Sequence, residues 1–253
     1  MILLLRALPF LVGLLEALLF TLQRQHPTLY PWIILPGILF VPAASFVISW
    51  KRLAWRDLLE KMVPSYLLIA SLAFGLLLIE TQFLLIVFTT LAALASFLSL
   101  ELLFVLAYDP SSYPVNGLSR LNIAYVPFVV WSTASTLAGL LVFLHVQPLW
   151  YVGVMMLLGL ILFRTTGHPG ATPTENRVWM LMGGIVGANI GWIGTRLPLT
   201  MPMHGFLAAV VFAAILRMRR YLYAPKPSRR LAWLEGSLTC LLLCVGLLTT
   251  TWI

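Results

Sequence analysis

The sequence has very little charge. Only 9% of its 253 residues are Asp, Glu, Lys or Arg, whereas 61% are hydrophobic, and the mean hydropathy is +0.98. A soluble domain carries about 25% charged and about 45–50% apolar residues. The composition therefore excludes a water-soluble protein and predicts an all-α, polytopic integral membrane bundle.

Nine apolar stretches approach the roughly 20 residues that a helix needs to cross a bilayer. They are 2–22, 29–50, 63–79, 82–107, 122–145, 148–163, 178–195, 199–216 and 232–252. We expect them to form a single transmembrane domain over 1–253, built of about nine helices arranged as tandem hairpins. Several stretches are short, so eight helices would also agree with the sequence. The first stretch has no small-residue cleavage site after it and predicts a retained helix rather than a signal peptide.

Cysteine, lysine and catalytic motifs are also scarce. Cys240 and Cys244 lie one helical turn apart in the last stretch, which disfavours a disulfide and suits free thiols packed as small apolar groups. We place all three lysines in loops, which excludes a retinal Schiff base within the membrane. No G-x-S-x-G elbow, P-loop or H-E-x-x-H motif occurs. The sequence thus indicates no catalytic residue, metal or cofactor, and it favours a protein that is not an enzyme.

The basic residues are distributed unevenly among the loops. Most of the 16 Lys and Arg residues fall in 51–62, 108–121, 164–177 and 217–230. By the positive-inside rule these four loops face the cytoplasm. The net charge of +8 therefore reports topology and not nucleic-acid binding. We expect a cytoplasmic amino terminus and a multi-pass protein of a bacterial or archaeal cytoplasmic membrane.

Two of these basic loops are predicted to contact anionic lipid. The stretch 51–62 can form a short amphipathic helix on the inner surface, with Leu58 and Met62 among the residues facing lipid. In 217–230, each cation contributes about 1 kcal/mol at an anionic surface. Its cations are Arg217, Arg219, Arg220, Lys226, Arg229 and Arg230. Anionic lipids and other membrane proteins are the expected partners; the alternative is that these charges serve topology alone.

The stretch "GGIVGANIG" carries a glycine zipper, a row of glycines spaced one helical turn apart. Its members are Gly183, Gly187 and Gly191. Lipid tails are as apolar as leucine, so membrane helices associate through close backbone approach at small residues. We expect a second helix to pack against this row. The predicted partner is the fourth helix, through Thr89, Ala92, Ala93, Ser96 and Ser99. The alternative is a groove in which a ligand approaches the backbone.

Polar residues near the outer ends of the helices form a candidate ligand site. Its predicted members are Asn189, Trp192, Arg196, His145 and His204. Ionisable groups at membrane level are costly and are functional candidates by default. An anion, a quinone headgroup or a metal held through imidazole would suit this set, although no H-x-x-x-H or H-E-x-x-H spacing supports the metal. The alternative is that these side chains are hydrated at the interface and do not converge.

Four ionisable residues fall inside apolar stretches. Arg6, Glu101 and Glu235 are expected at similar depth on the inner side, with Glu16 deeper. A buried carboxylate needs a partner or a proton. We therefore expect Arg6 to pair with Glu101 or Glu235. A proton-carrying carboxyl at Glu16 or Glu101 would instead suit a coupled transporter.

Three functions agree with these features. The first is a non-catalytic subunit or assembly protein of a membrane complex. The second is a transporter of small solutes or lipids with a polar cavity near the outer face. The third, with least support, is a membrane enzyme acting on a lipid or quinone.

Overall fold

The computed structural model describes residues 2–78, 82–166, 172–223 and 229–249. Within these ranges the chain is helical and contains no β-strand, which confirms the predicted all-α class. The helices are α1 (Ile2–Gln25), α2 (Tyr30–Ser49), α3 (Trp55–Gly75), α4 (Gln82–Tyr108), α5 (Gly117–Leu144), α6 (Pro148–Thr165), α7 (Pro173–Gly194), α8 (Met201–Tyr223) and α9 (Arg229–Thr249). Short 3-10 turns, Pro27–Leu29 and Leu76–Leu78, precede α2 and follow α3.

Eight of these nine described helices are long and apolar enough to cross a membrane, so the chain is a multi-pass membrane protein. The exception is α7. Its glycines, Asn189 and a polar first turn lower its apolar content, although it is 22 residues long. Eight of the predicted crossings therefore agree with the structure. The ninth, by α7, stays a prediction.

The structure corrects the prediction for the basic stretch 51–62. There is no separate surface helix, because α3 begins at Trp55 and continues unbroken past Lys61 and Pro64. Leu58 and Met62 are 2% and 0% exposed, so they belong to the core and do not face lipid. Lys61 lies in a helix rather than in a loop.

Other helices are also longer than predicted. The helix α7 begins at Pro173 because Thr172 caps it: the Thr172 hydroxyl accepts from the Glu175 backbone N–H at 3.3 Å, and the Thr172 N–H donates to Glu175 Oε2 at 2.7 Å. This capping box satisfies two backbone donors that a helix start leaves open. The helix α8 extends to Tyr223, beyond the predicted end at residue 216, so Arg217 and Arg219 are helical residues.

The chain divides into two compact units, Met1–Tyr125 and Val126–Ile253. In the first unit, α1 packs along α4, where Gly13 lies close to Ala93. The hydroxyls of Ser65 and Ser99 lie 2.8 Å apart and join α3 to α4. The apolar core is formed by α1 to α4 and the start of α5. Its members are Leu5, Val12, Val41, Ala44, Ile48, Leu58, Met62, Ile69, Leu100, Leu103, Phe104 and Leu118.

In the second unit, α6 and α7 have the most extensive contact of any two helices, and α8 packs on α9. Gly205 in α8 lies directly against the α5 backbone at Trp131, whose indole N–H donates to the Pro202 carbonyl at 3.3 Å. Close glycine contacts thus hold α5 to α8 as well as α6 to α7. A single domain over 1–253 stays a prediction.

Candidate functional site

The glycine row of α7 packs against α6. A Cβ added at Gly187 would overlap the Met155 carbonyl, and one added at Gly191 would lie 2.9 Å from the Val152 Cα. Gly183 faces the carbonyl of Gly159 in the same way. Backbone meets backbone along this line, as expected where small residues set the approach of membrane helices.

The partner of this glycine row is therefore α6, and the prediction of α4 was wrong. The small residues of α4 serve its own unit. Ala92 and Ser96 are fully buried, and Ser99 bonds to Ser65 of α3. The two helices that do meet are neighbours in the chain, joined by the connection between Thr165 and Pro173.

The structure places the five residues of the predicted ligand site in different local surroundings, with only Arg196 and Trp192 in contact with each other. Arg196 stacks over the Trp192 ring at 4.9 Å, and the Asn189 amide donates to the Ile185 carbonyl of its own helix at 2.8 Å. His204 hydrogen-bonds to backbone in the connection before α8, at Leu197 and Leu199.

His145 is exposed between α5 and α6, with a positive φ of 49°. Across the described residues, no hydrogen bond or ion pair joins any two of the five side chains. Only Arg196 and Trp192 are brought together, and Trp192 itself is half exposed. A shared ligand site at these five residues stays a prediction.

The predicted ion pair of Arg6 with Glu101 is not formed. Arg6 is exposed, and its charge acts on Asp109, beyond the end of α4. Hydrogen bonds from Ser111 and Ser112 chiefly hold the pKa of Asp109 below its usual range, and Arg6 adds a smaller effect. The Oε2 atoms of Glu101 and Glu235 are buried without a hydrogen-bond partner among the described residues.

Glu16 is the most enclosed acid in the described chain. It is 0% exposed, and neither carboxyl oxygen has a hydrogen-bond partner within the described ranges. The α2 backbone passes close by, since a Cβ on Gly37 would lie 3.8 Å from Glu16 Oε2. A carboxyl group placed this way inside a membrane protein is tolerated in its neutral form, or with a bound cation.

The structure also corrects the prediction that Arg219 contacts lipid. Arg219 is 4% exposed and connects three elements. One guanidinium nitrogen donates to the Thr166 carbonyl at 3.2 Å, the other to Asn176 Oδ1 at 2.8 Å. The guanidinium also lies over the Trp179 ring at 5.2 Å. The side chain therefore joins the end of α6, the start of α7 and α8.

Glu175 belongs to the same corner of the molecule. Hydrogen bonds from the backbone and hydroxyl of Thr172 hold its pKa below the usual range, and the charge of Arg219 adds to this effect. The sequence carried one signal of this arrangement. Arg217 and Arg219 are two residues apart, so a helix points them to opposite sides.

The remaining cations of this segment divide into two groups. Arg217 and Arg230 are exposed at the ends of α8 and α9 that the basic segment joins. Lys226 and the side chains of Arg220 and Arg229 lie outside the described residues. For Arg217 and Arg230 the lipid contact stays a prediction.

A cleft of about 360 Å³ opens between α5, α8 and α9. Its wall is apolar except for Arg217 at one end, Thr239 and Trp131. The apolar lining is Pro127, Phe128, Phe206, Ala209, Val210, Ala213, Ala214, Leu238 and Leu242. Sequence reasoning missed this cleft, although six of its residues follow the helical spacing of one face of α8.

No model of a known protein family matches the chain, and no curated protein or solved structure matches it either.

Proposed function

We propose that the protein is a non-catalytic subunit or scaffold of a complex in a bacterial or archaeal cytoplasmic membrane, and that α9 binds its partner. The exposure of α9 carries this proposal. Its membrane-spanning window, Arg230–Thr249, is 6% buried, whereas the other seven windows are 33–56% buried. A helix that contributes so little to its own unit is free to pack against another protein.

One face of α9 has the chemistry that membrane helices use for association. Gly236, Cys240 and Cys244 follow one another at four-residue intervals, and all three are exposed. A Cβ added at Gly236 would meet nothing within 4 Å. Such a row lets a second backbone approach closely, which is how helices gain contact energy among equally apolar lipid tails. The partner we propose is therefore a transmembrane helix of another membrane protein.

The test is purification of tagged protein from isolated cytoplasmic membranes in mild detergent. We expect a membrane protein to co-purify in fixed stoichiometry with wild type and to be lost with Gly236→Leu, because leucine separates the two backbones. Gly153→Leu is the matched control, since that glycine also has nothing within 4 Å and lies on α6. A wild-type protein that purifies alone, or a partner retained by Gly236→Leu, would contradict the proposal.

A second candidate function, a transporter of small solutes or lipids, is favoured by Glu16. A carboxyl group that is enclosed and has no hydrogen-bond partner in the described chain gains nothing for stability from its charge. It does suit a group that takes up and releases a proton during transport. Its position on α1, where the carboxyl group faces Gly37 of α2, would place that step within the first unit.

Proteoliposomes with an internal pH-sensitive dye test this candidate. Potassium and valinomycin are included so that potassium flux compensates the charge of the protons that cross the membrane. Under these conditions we expect wild type to dissipate an imposed pH gradient faster than Glu16→Gln. Glutamine matches the neutral acid in size, so the variant should keep the wild-type melting temperature. Glu60→Gln, at an exposed position of α3, serves as the control. Equal rates for wild type and Glu16→Gln would remove this candidate.

A further inference from the structure

The cleft between α5, α8 and α9 extends along α8. Its residues on α8 run from Phe206 to Arg217, over which a helix rises about 16 Å. Apolar side chains form most of the wall over that length, and Arg217 is the one charged residue among the described lining residues. An apolar groove with a cation at its end suits an extended hydrocarbon chain that carries an anionic group.

The polar groups of the cleft are arranged asymmetrically. Along α8, Arg217 lies at one end of the lining and Phe206 at the other. Arg217 is exposed, and the described residues that line the cleft include no Asp or Glu to pair with it. Arg230 is a second exposed cation. It lies in the first turn of α9, directly after the segment that connects α8 to α9. A ligand matching this pattern has an apolar chain and an anionic head.

We propose that this cleft binds one anionic phospholipid, with an acyl chain between α5, α8 and α9 and the headgroup phosphate on Arg217. A guanidinium matches phosphate in a bidentate geometry, which gives it an advantage over a diffuse positive surface. The chain covers the apolar wall formed by Ala209, Ala213 and Leu238. It also supports α9, which packs on α8 and is otherwise largely exposed. The proposal does not depend on the partner protein or on the transport step.

Arg219, two residues from Arg217 on α8, differs from it in a way that helps to test the proposal. Arg219 is buried and bonded to Thr166 and Asn176, so it cannot serve a headgroup without leaving its partners. Arg217 has no such role, and its loss should leave folding intact. For a matched charge loss we use Arg177, an exposed residue near the start of α7 that does not line the cleft.

Native mass spectrometry in neutral detergent measures the binding of dioleoyl phosphatidylglycerol and dioleoyl phosphatidylcholine. We expect one phosphatidylglycerol per wild-type chain, bound at least about tenfold more tightly than phosphatidylcholine. Both headgroups contain a phosphate, but the choline cation neutralises the charge of phosphatidylcholine and competes with Arg217 for its phosphate, whereas the charge of phosphatidylglycerol is left for Arg217 to pair with. Arg217→Gln should lose this preference, whereas Arg177→Gln should keep it. Ala213→Trp should weaken both lipids, because the indole occupies the space of the chain. If Ala213→Trp does not fold, Leu242→Trp at the partly exposed α9 wall replaces it.

Four results would overturn the proposal. Equal affinity of wild type for the two lipids would show that no headgroup is selected. An equal loss in Arg217→Gln and Arg177→Gln would show a diffuse surface charge instead of a site. Unchanged binding in the tryptophan variant that folds would place the acyl chain outside the cleft. The fourth result is a protein occupant. It would be indicated by a polypeptide that co-purifies with wild type and is lost with Ala213→Trp, when wild type also shows no preference between the two lipids.

Discussion

Replacing Gly187 by leucine is expected to lower the melting temperature of the purified protein by about 6–12 °C, for a loss of about 3 kcal/mol in the free energy of unfolding. The added Cβ would overlap the Met155 carbonyl oxygen and lie 2.8 Å from its carbon and 3.2 Å from the Met156 Cα. All three atoms are backbone atoms, so no side-chain rotation relieves the contact. The two helices have to separate, and the contacts at Gly183 and Gly191 are lost with them.

Gly153→Leu is the control for this variant. It introduces the same side chain on α6, the facing helix, where an added Cβ meets nothing within 4 Å. Glycine is about 0.8–1 kcal/mol worse than alanine in a helix interior, so this change should be neutral or slightly stabilising. Thermal unfolding of both variants in one detergent checks the pair. Equal melting temperatures for Gly187→Leu and wild type would show that α6 and α7 do not meet along this line.

Replacing Arg219 by glutamine is expected to cost about 2–4 kcal/mol and to loosen the start of α7 before the rest of the second unit. Hydrogen bonds to charged groups contribute about 1.5–3 kcal/mol each, and this side chain makes bonds to Thr166 and Asn176. Glutamine is too short to reach both groups and leaves them without a donor at a buried position. Hydrogen exchange should become faster in the first two turns of α7, and the melting temperature should fall.

Two neighbouring variants separate this role from that of a surface charge. Arg219→Lys keeps the charge and loses the planar fork, so an intermediate loss is expected. Arg217→Gln removes an exposed cation on the other side of the same turn and should leave the melting temperature unchanged in lipid-free detergent. Equal effects of Arg217→Gln and Arg219→Gln would mean that charge alone, and not the bonds of Arg219, stabilises this corner.

The protein class and most helices could be predicted from the sequence because they depend on composition over long windows. Helix ends depend on single contacts and were less accurate. The run from Thr172 to Glu175 has the T-x-x-E spacing of a capping box, yet the preceding glycines and prolines suggested a loop as far as Arg177. Likewise, the six cations of 217–230 suggested a loop, although arginine and leucine are good helix formers and α8 continues through them to Tyr223.

Contacts between helices were harder to predict, for a physical reason. A row of small residues shows that a backbone approaches, but it contains no information about which helix approaches. The row in α7 and the row in α4 looked complementary, yet the α7 row packs against α6 and Ser99 of α4 bonds to α3. The polar residues of the predicted ligand site pose the same problem. The sequence indicates that Arg196 and His145 lie near the ends of α7 and α5, but it does not indicate in which direction their side chains point.

The glycine row of α7 has a consequence for how the protein is made. Among the nine described α-helices, α7 is the one without a stretch apolar enough to count as a membrane span, and the glycines that let it lie against α6 contribute to this. On its own it is therefore expected to partition weakly into lipid. The preceding helix, α6, leaves the ribosome first and already carries the surface that α7 needs. Insertion of the two as one hairpin would let packing compensate for missing hydrophobicity during synthesis. Substitutions that make α7 more apolar would then help it enter the membrane alone and prevent it from joining its neighbour.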